Sequence, residues 1–235
     1  MTFQRSVLQD FDAMIEKNNI ISISGESGTG KTSLGLYLIA NSLSKKEISN
    51  NSCFWIQASE PFPKKRLISM CIDNSELCTY LLSNIYIAPK RNFSSFSEQS
   101  QFLGKIVDDS FIFPPDLKFI VIDNISHHLR YETLKSRDIK QRTILLDDFY
   151  NKSICPLILR CQRESIALIL IHEVSFNVKI QKTMPFFYSL YKRIKSVNIS
   201  LTKSPISKER EMKIEIGRTI KSLIYKLDNK GFLFI

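Results

Sequence analysis

Residues 25 to 32 read Gly-Glu-Ser-Gly-Thr-Gly-Lys-Thr, an order of residue types suited to holding a chain of phosphates. Glycines let the backbone turn its N–H groups inward around phosphate oxygens, a lysine reaches the terminal phosphates, and the following hydroxyl ligates magnesium. Gly25, Glu26, Ser27, Gly28, Thr29, Gly30, Lys31, Thr32 and Ser33 would line such a cradle, with Lys31 on the phosphates and Thr32 on the metal. A helix beginning near Lys31 would add the positive end of its dipole. The cofactors expected from this pattern are ATP and Mg2+.

A magnesium nucleotide also calls for a carboxylate at the end of a neighbouring strand. Asp123 closes the apolar run Phe119-Ile120-Val121-Ile122 and fits that role. Hydrolysis further requires a base or an orienting group for the attacking water. Glu60, shortly after the run Cys53-Phe54-Trp55-Ile56, is the leading candidate, and Glu173, after Leu168 to Ile171, is placed to sense the γ-phosphate. His127 and His128 read as surface or packing residues and receive no role.

The elements that must position these groups follow in order. Ile20 to Ser24 is a short β-branched run, and Ser33 to Leu43 has apolar residues at helical spacing, so strand, glycine loop and helix are consecutive. Further buried strands are expected at Cys53–Ile56, Ile85–Ala88, Leu117–Asp123 and Ala167–Ile171, with helices between. Residues 92 to 101 read as a surface loop, and one long charged helix is expected from about Glu132 to Tyr150. Strands apolar on both faces and alternating with helices imply a parallel sheet covered on both sides. From Val197 onward apolar and polar residues alternate, which predicts antiparallel strands added at the sheet's edge.

The expected fold is therefore α/β, in one domain: a lead-in at 1–19, a nucleotide-binding core at 20–174, and a basic, β-rich end at 175–235.

The 235 residues carry a formal charge of +10, and 43% are hydrophobic, enough to fill a sizeable core. No apolar run reaches the roughly 18 residues of a membrane span, and the first residues lack the apolar stretch of a secretory leader. A cytoplasmic protein, nuclear in a eukaryote, with no membrane partner is the expectation. The five cysteines form no C-x-x-C pair and read as reduced, buried thiols. From Lys179 to Lys230, 13 lysines and arginines face four acidic residues, so nearly all the net charge lies in the last quarter. Such a field suits a polyanion, although a merely solvated basic face has the same composition.

Taken in order, Gly25 to Thr32, the segment VIDNISHHLR at Val121 to Arg130, the segment LILIHEV at Leu168 to Val174, and the basic end resemble the RecA/RadA recombinase superfamily, most of all its short RadB-type paralogues. The resemblance implies a RecA-like P-loop fold, MgATP binding, and a part in DNA recombination or repair as a recombinase paralogue or mediator. It also implies DNA, in single-stranded form, as a partner of the C-terminal quarter, with another recombinase or self-association beside it.

Two departures from the family pattern stand out. An ungapped match puts Ser59 where the family's catalytic Glu stands, so that only a one-residue shift delivers Glu60, which implies slow or absent turnover. Glu173 replaces the family's Gln. A non-catalytic, nucleotide-gated assembly subunit and a KaiC-like regulatory ATPase share the same core and remain alternatives. There is no glycine between Gly104 and Gly217, where mobile DNA loops would need one, so strand exchange by this chain is not expected. The stretch Phe186 to Lys195 is either a stacking and charge surface for single strands or a half-buried element with core aromatics.

Overall fold

The computed structural model describes residues 19–44, 51–136, 138–177, 181–204 and 209–235. Strands β1 (Ile20–Gly25), β2 (Ser52–Gln57), β3 (Ile85–Ala88), β4 (Leu117–Asp123) and β5 (Ala167–His172) are followed by a separate antiparallel pair, β6 (Val174–Asn177) and β7 (Lys182–Pro185). The chain then adds β8 (Val197–Lys203), β9 (Arg210–Ile216), β10 (Thr219–Asp228) and β11 (Gly231–Phe234). Apart from β6 and β7, these strands form one sheet in the order β11-β10-β9-β8-β1-β5-β4-β2-β3. Pairing is parallel from β8 across to β3 and antiparallel from β8 out to β11.

The alternation of side chains along a strand lets the central strands bury residues on both faces of the sheet. Ile21, Ile23, Val121, Ile169 and Ile171 point to one face of the sheet. There they meet helices α1 (Lys31–Leu43), α2 (Lys64–Met70) and α3 (Ser75–Asn84) through Leu34, Leu38, Leu67 and Leu81. Ile20, Ile120, Ile122, Leu168 and Leu170 point to the other. That face is covered by α4 (Phe96–Val107), α5 (His127–Lys135), α6 (Ile139–Phe149), α7 (Cys155–Arg163) and the short α8 (Tyr188–Tyr191). Trp55, fully buried on β2, meets Phe62 edge to face at 5.2 Å.

Three sequence expectations are corrected. Residues 92 to 101 are not a loop throughout: α4 starts at Phe96, because the Ser95 side chain accepts the Glu98 N–H while the Glu98 carboxylate accepts from Ser94 N at 2.7 Å and Ser94 Oγ at 2.8 Å. The long helix from Glu132 is two helices. The first starts earlier, at His127, and the second begins after Asp138, whose side chain accepts the Lys140 N–H, and runs through a π-helical turn at Tyr150–Ile154 into α7. Finally, Val197–Lys203 is not purely an antiparallel addition, since β8 pairs parallel with β1 and turns antiparallel only toward β9. It faces the core through Val197, Ile199 and Leu201, which leaves the alternating pattern read from the sequence.

All five cysteines are free thiols, and Cys53, Cys71 and Cys161 are buried. Among the described residues no helix is long and apolar enough to cross a membrane. The lead-in residues 1–18, with Lys179 and Lys208 of the basic quarter, lie outside the described residues.

Candidate functional site

Strands β1, β5 and β4 end side by side, and the loop after β1 turns back over their carboxyl ends into α1. Two glycines make that turn possible. A Cβ on Gly25 would lie 2.6 Å from the Leu201 carbonyl and 2.6 Å from Thr29 Oγ1, and Gly30 has φ 95° with Leu227 Cδ1 2.6 Å from where its Cβ would be. The loop is braced from within: Thr29, fully buried, donates its hydroxyl to the Glu26 carbonyl at 2.8 Å. It is also braced from the C-terminal strands. The Tyr225 hydroxyl donates to the Thr29 carbonyl at 2.7 Å, and Lys203 Nζ donates to the Ser27 carbonyl at 2.5 Å.

Gly30 caps α1 without any side-chain hydrogen bond, and no acidic residue sits in the first turn. The first-turn amides thus face the cavity as an uncapped, positively polarised set. Lys31 Nζ donates to the carbonyls of Gly25 at 2.9 Å and Glu26 at 3.0 Å. Burial pulls its pKa down, opposed by the charges of Asp123, Glu173 and Glu60, while Lys203 pushes in the same direction as burial. Thr32 Oγ1 donates to Asp123 Oδ2 at 2.7 Å. Among the described residues no group of three or more His, Cys, Asp or Glu could hold a metal by itself. The Thr32 hydroxyl and the Asp123 carboxylate could each offer one oxygen to a metal ion, which would need further ligands from elsewhere.

Burial pushes the Asp123 carboxyl up to about 6, against the hydrogen bond from Thr32 and the charge of Lys31. The folded chain holds this proton more tightly than the unfolded chain, so the contribution is full below about pH 4 and is lost as pH rises through about 6. Urea midpoints of the metal-free protein and of Asp123→Asn should show a stability difference that moves against the wild type by about 2 kcal/mol from pH 4 to 7. Parallel pH profiles would contradict this.

The backbone carbonyl of Asp123 accepts from the N–H groups of Ala58 at 2.7 Å and Ser59 at 3.2 Å, fixing the end of β2 against β4. Ser59 Oγ accepts from Asn124 N at 3.2 Å, so this hydroxyl is tied to the wall. Glu60, next along, is exposed at the cavity mouth.

Glu173 follows β5 and is gripped by three donors: His127 Nδ1 at 2.9 Å and Asn124 Nδ2 at 3.3 Å on one oxygen, and Arg130 at 3.2 Å on the other. Burial pushes its carboxyl up, but the hydrogen bonds from His127, Arg130 and Asn124 outweigh it and leave the pKa below the usual value. The Arg130 guanidinium also lies over the Phe186 ring at 5.1 Å, and Phe186 N donates to the Glu173 carbonyl at 2.8 Å.

The cavity of about 550 Å3 enclosed by these groups is in the range of small-molecule sites. Of the residues singled out in the sequence, Gly25, Glu26, Ser27, Gly28, Gly30, Lys31, Thr32, Ser33, Glu60, Asp123 and Glu173 line it together. Thr29 lies behind the loop. The sequence reading did not find Asn124, His127 and Arg130, although the i, i+3 spacing of the last two on one helix face was a usable signal. Lys203 and Tyr225 had none, since they reach the loop from more than 170 residues away.

The aromatic stretch Phe186 to Lys195 is half-buried. Leu190 and Tyr191 are buried in the core, whereas Tyr188, Lys192, Arg193 and Lys195 are exposed. Where mobile loops would follow Val174, the described residues form the β6 and β7 pair.

No protein-family model matches the chain, and no curated protein matches it in sequence. Among solved structures it is similar to one titled "Crystal structure of the RadB recombinase", with a TM-score of 0.68 and 20% identity, over 92% of this chain and 90% of that one. The chain therefore has the RecA-like fold, and the likeness to a RadB-type protein read from its motifs is met at the level of the fold.

Proposed function

We propose that this RecA-like chain binds MgATP and acts in DNA recombination or repair as a recombinase paralogue or mediator, a weak ATPase that does not itself exchange strands. The observation carrying the reading is the glycine cradle, closed by Lys31 and by the Thr32–Asp123 contact at 2.7 Å, at the carboxyl edge of a parallel sheet. Ligands bind at that edge in open α/β sheets. In this reading the loop amides and the start of α1 receive phosphate oxygens, and Lys31 leaves the carbonyls of Gly25 and Glu26 to contact the terminal phosphates. Thr32 and Asp123 hold the ion, which when bound neutralises charge on the phosphates. Glu60 is the base or orienting group for water.

The exposure of Glu60 favours low turnover, because a base in open solvent is neither fixed nor shielded. The same exposure supports the second reading, a nucleotide-gated subunit that hydrolyses little. Phosphate release measured with and without DNA separates the two, and a KaiC-like regulator would be marked by the absence of DNA binding.

For DNA, the support is the basic C-terminal quarter. Arg193, Lys213, Lys226 and Lys230 lie 2.7–3.6 Å from Asp147, Glu215, Glu209 and Asp73. Such exposed pairs are weak and screened, so a denser polyanion can displace them. Binding of an oligothymidylate measured against salt should show log K falling steeply with log[salt], by about 0.7 per phosphate contact. A flat response would remove DNA from the proposal.

A further inference from the structure

The phosphate loop is held from behind by two side chains that do not line the cavity. Tyr225 on β10 is fully buried, its ring 4.7 Å from that of Phe232, and its hydroxyl donates to the Thr29 carbonyl at 2.7 Å. Lys203, at the end of β8, donates through Nζ to the Ser27 carbonyl at 2.5 Å. Neither residue belongs to the cavity lining, whereas Gly28 and Gly30, which directly follow those two carbonyls, both do.

A peptide group is planar, and in its trans form the C=O and the next N–H point in opposite directions. The Ser27–Gly28 and Thr29–Gly30 peptides are both trans. A donor that draws the Thr29 carbonyl toward β10 therefore turns the Gly30 N–H away from that strand, and Lys203 does the same for the Gly28 N–H. Among the described residues neither N–H donates to a backbone carbonyl. Gly28 and Gly30 lie at φ 74° and 95°, and Leu227 of β10 packs against Gly30. Glycines have many competing conformations, so an empty cradle keeps its amides turned inward only where something outside it fixes the peptide planes.

We propose that Tyr225 and Lys203 are positioning residues for phosphate binding. By holding two carbonyls from the C-terminal strands, they keep the N–H groups of Gly30 and Gly28 turned into the cavity before a ligand arrives. The inference rests on the reading of the cavity as a nucleotide site and assigns part of its affinity to the last quarter of the chain.

Calorimetric titration with magnesium pyrophosphate and with MgADP, at a temperature where each protein is folded by circular dichroism, tests it. Pyrophosphate reads the phosphate contacts alone. Tyr225→Phe keeps the ring and removes the donor without changing any charge, so it should weaken both ligands by the same factor, about fivefold to tenfold. Tyr86→Phe, at an exposed position on β3, should bind both as the wild type does. Lys203→Met, also at an exposed position, is the second variant should Tyr225→Phe not fold. It should weaken both ligands similarly, and the deficit should persist at high salt, because a peptide orientation is not screened as a bare charge is. Wild-type affinity for pyrophosphate in Tyr225→Phe, whatever its melting temperature, would make that hydroxyl a purely structural brace and overturn the inference while leaving the nucleotide site standing. A loss for MgADP alone, or a Lys203→Met deficit that vanishes in salt, would overturn it in the same way. A wild type that binds neither ligand would overturn the reading of the site as well.

Discussion

Lys31→Ala is expected to weaken binding of ADP and ATP by at least about 100-fold, with little change in the melting temperature of the nucleotide-free protein. The size follows from the chemistry of the contact: charge-assisted hydrogen bonds from an ammonium to phosphate oxygens contribute about 1.5–3 kcal/mol each, and losing two costs about two orders of magnitude. The small effect on the free protein follows from the cost of the resting position. Lys31 is buried enough for its pKa to fall, and its donors reach only two loop carbonyls, Gly25 and Glu26. The loop itself is braced by Thr29, Tyr225 and Lys203, none of which depends on Lys31. Fluorescent-nucleotide titration beside a thermal melt separates the two effects. Unchanged affinity would mean that the cradle does not hold phosphates, and a collapsed melt would mean that Lys31 is structural.

The largest effect on stability is expected at Arg160→Ala. Arg160 on α7 is 7% exposed, and its guanidinium donates to the carbonyls of Ile106 at 2.8 Å, Asp108 at 2.5 Å and Phe111 at 2.8 Å. Its Nε bonds Glu164 at 2.8 Å, and its plane covers the Phe113 ring at 4.3 Å. One side chain thus straps the segment between α4 and β4 to α7. Removing it strands several carbonyls and a carboxylate, a loss of about 3–5 kcal/mol. In a chain of this size that lowers the melting temperature by about 6–15 °C. Arg163→Ala is the control, since its bond to Asp109 is between exposed groups and should cost under about 1 kcal/mol. Similar melts for the two variants would refute the strap.

How much of this was legible in the sequence depends on whether the information is local. The cradle is contiguous, and Asp123 is marked by the strand it ends, so the sequence alone pointed to residues that line one cavity and to a parallel core sheet, though not to its strand order. The carboxylate grip on Glu173 joins residues 43 to 49 positions apart and needs α5 to start at His127, five residues earlier than the charge pattern suggested. The break between α5 and α6 was hidden because charged residues run on through it. It is enforced by the Asp138 cap. β8 shows alternation on either side of its pairing, so its parallel bond to β1 could not be read from periodicity. That pairing is what brings Lys203 to the loop, while β10, beyond β9 in the sheet, brings Tyr225.

Backbone amide NMR of the 15N-labelled wild type, titrated with MgADP, tests the phosphate cradle most directly. The N–H groups of Gly28 to Ser33 should shift together and saturably at one equivalent, with those of Lys203 and Tyr225 following and the exposed α6 unmoved. Shifts confined to the C-terminal strands, or none in the loop at saturating ligand, would contradict it.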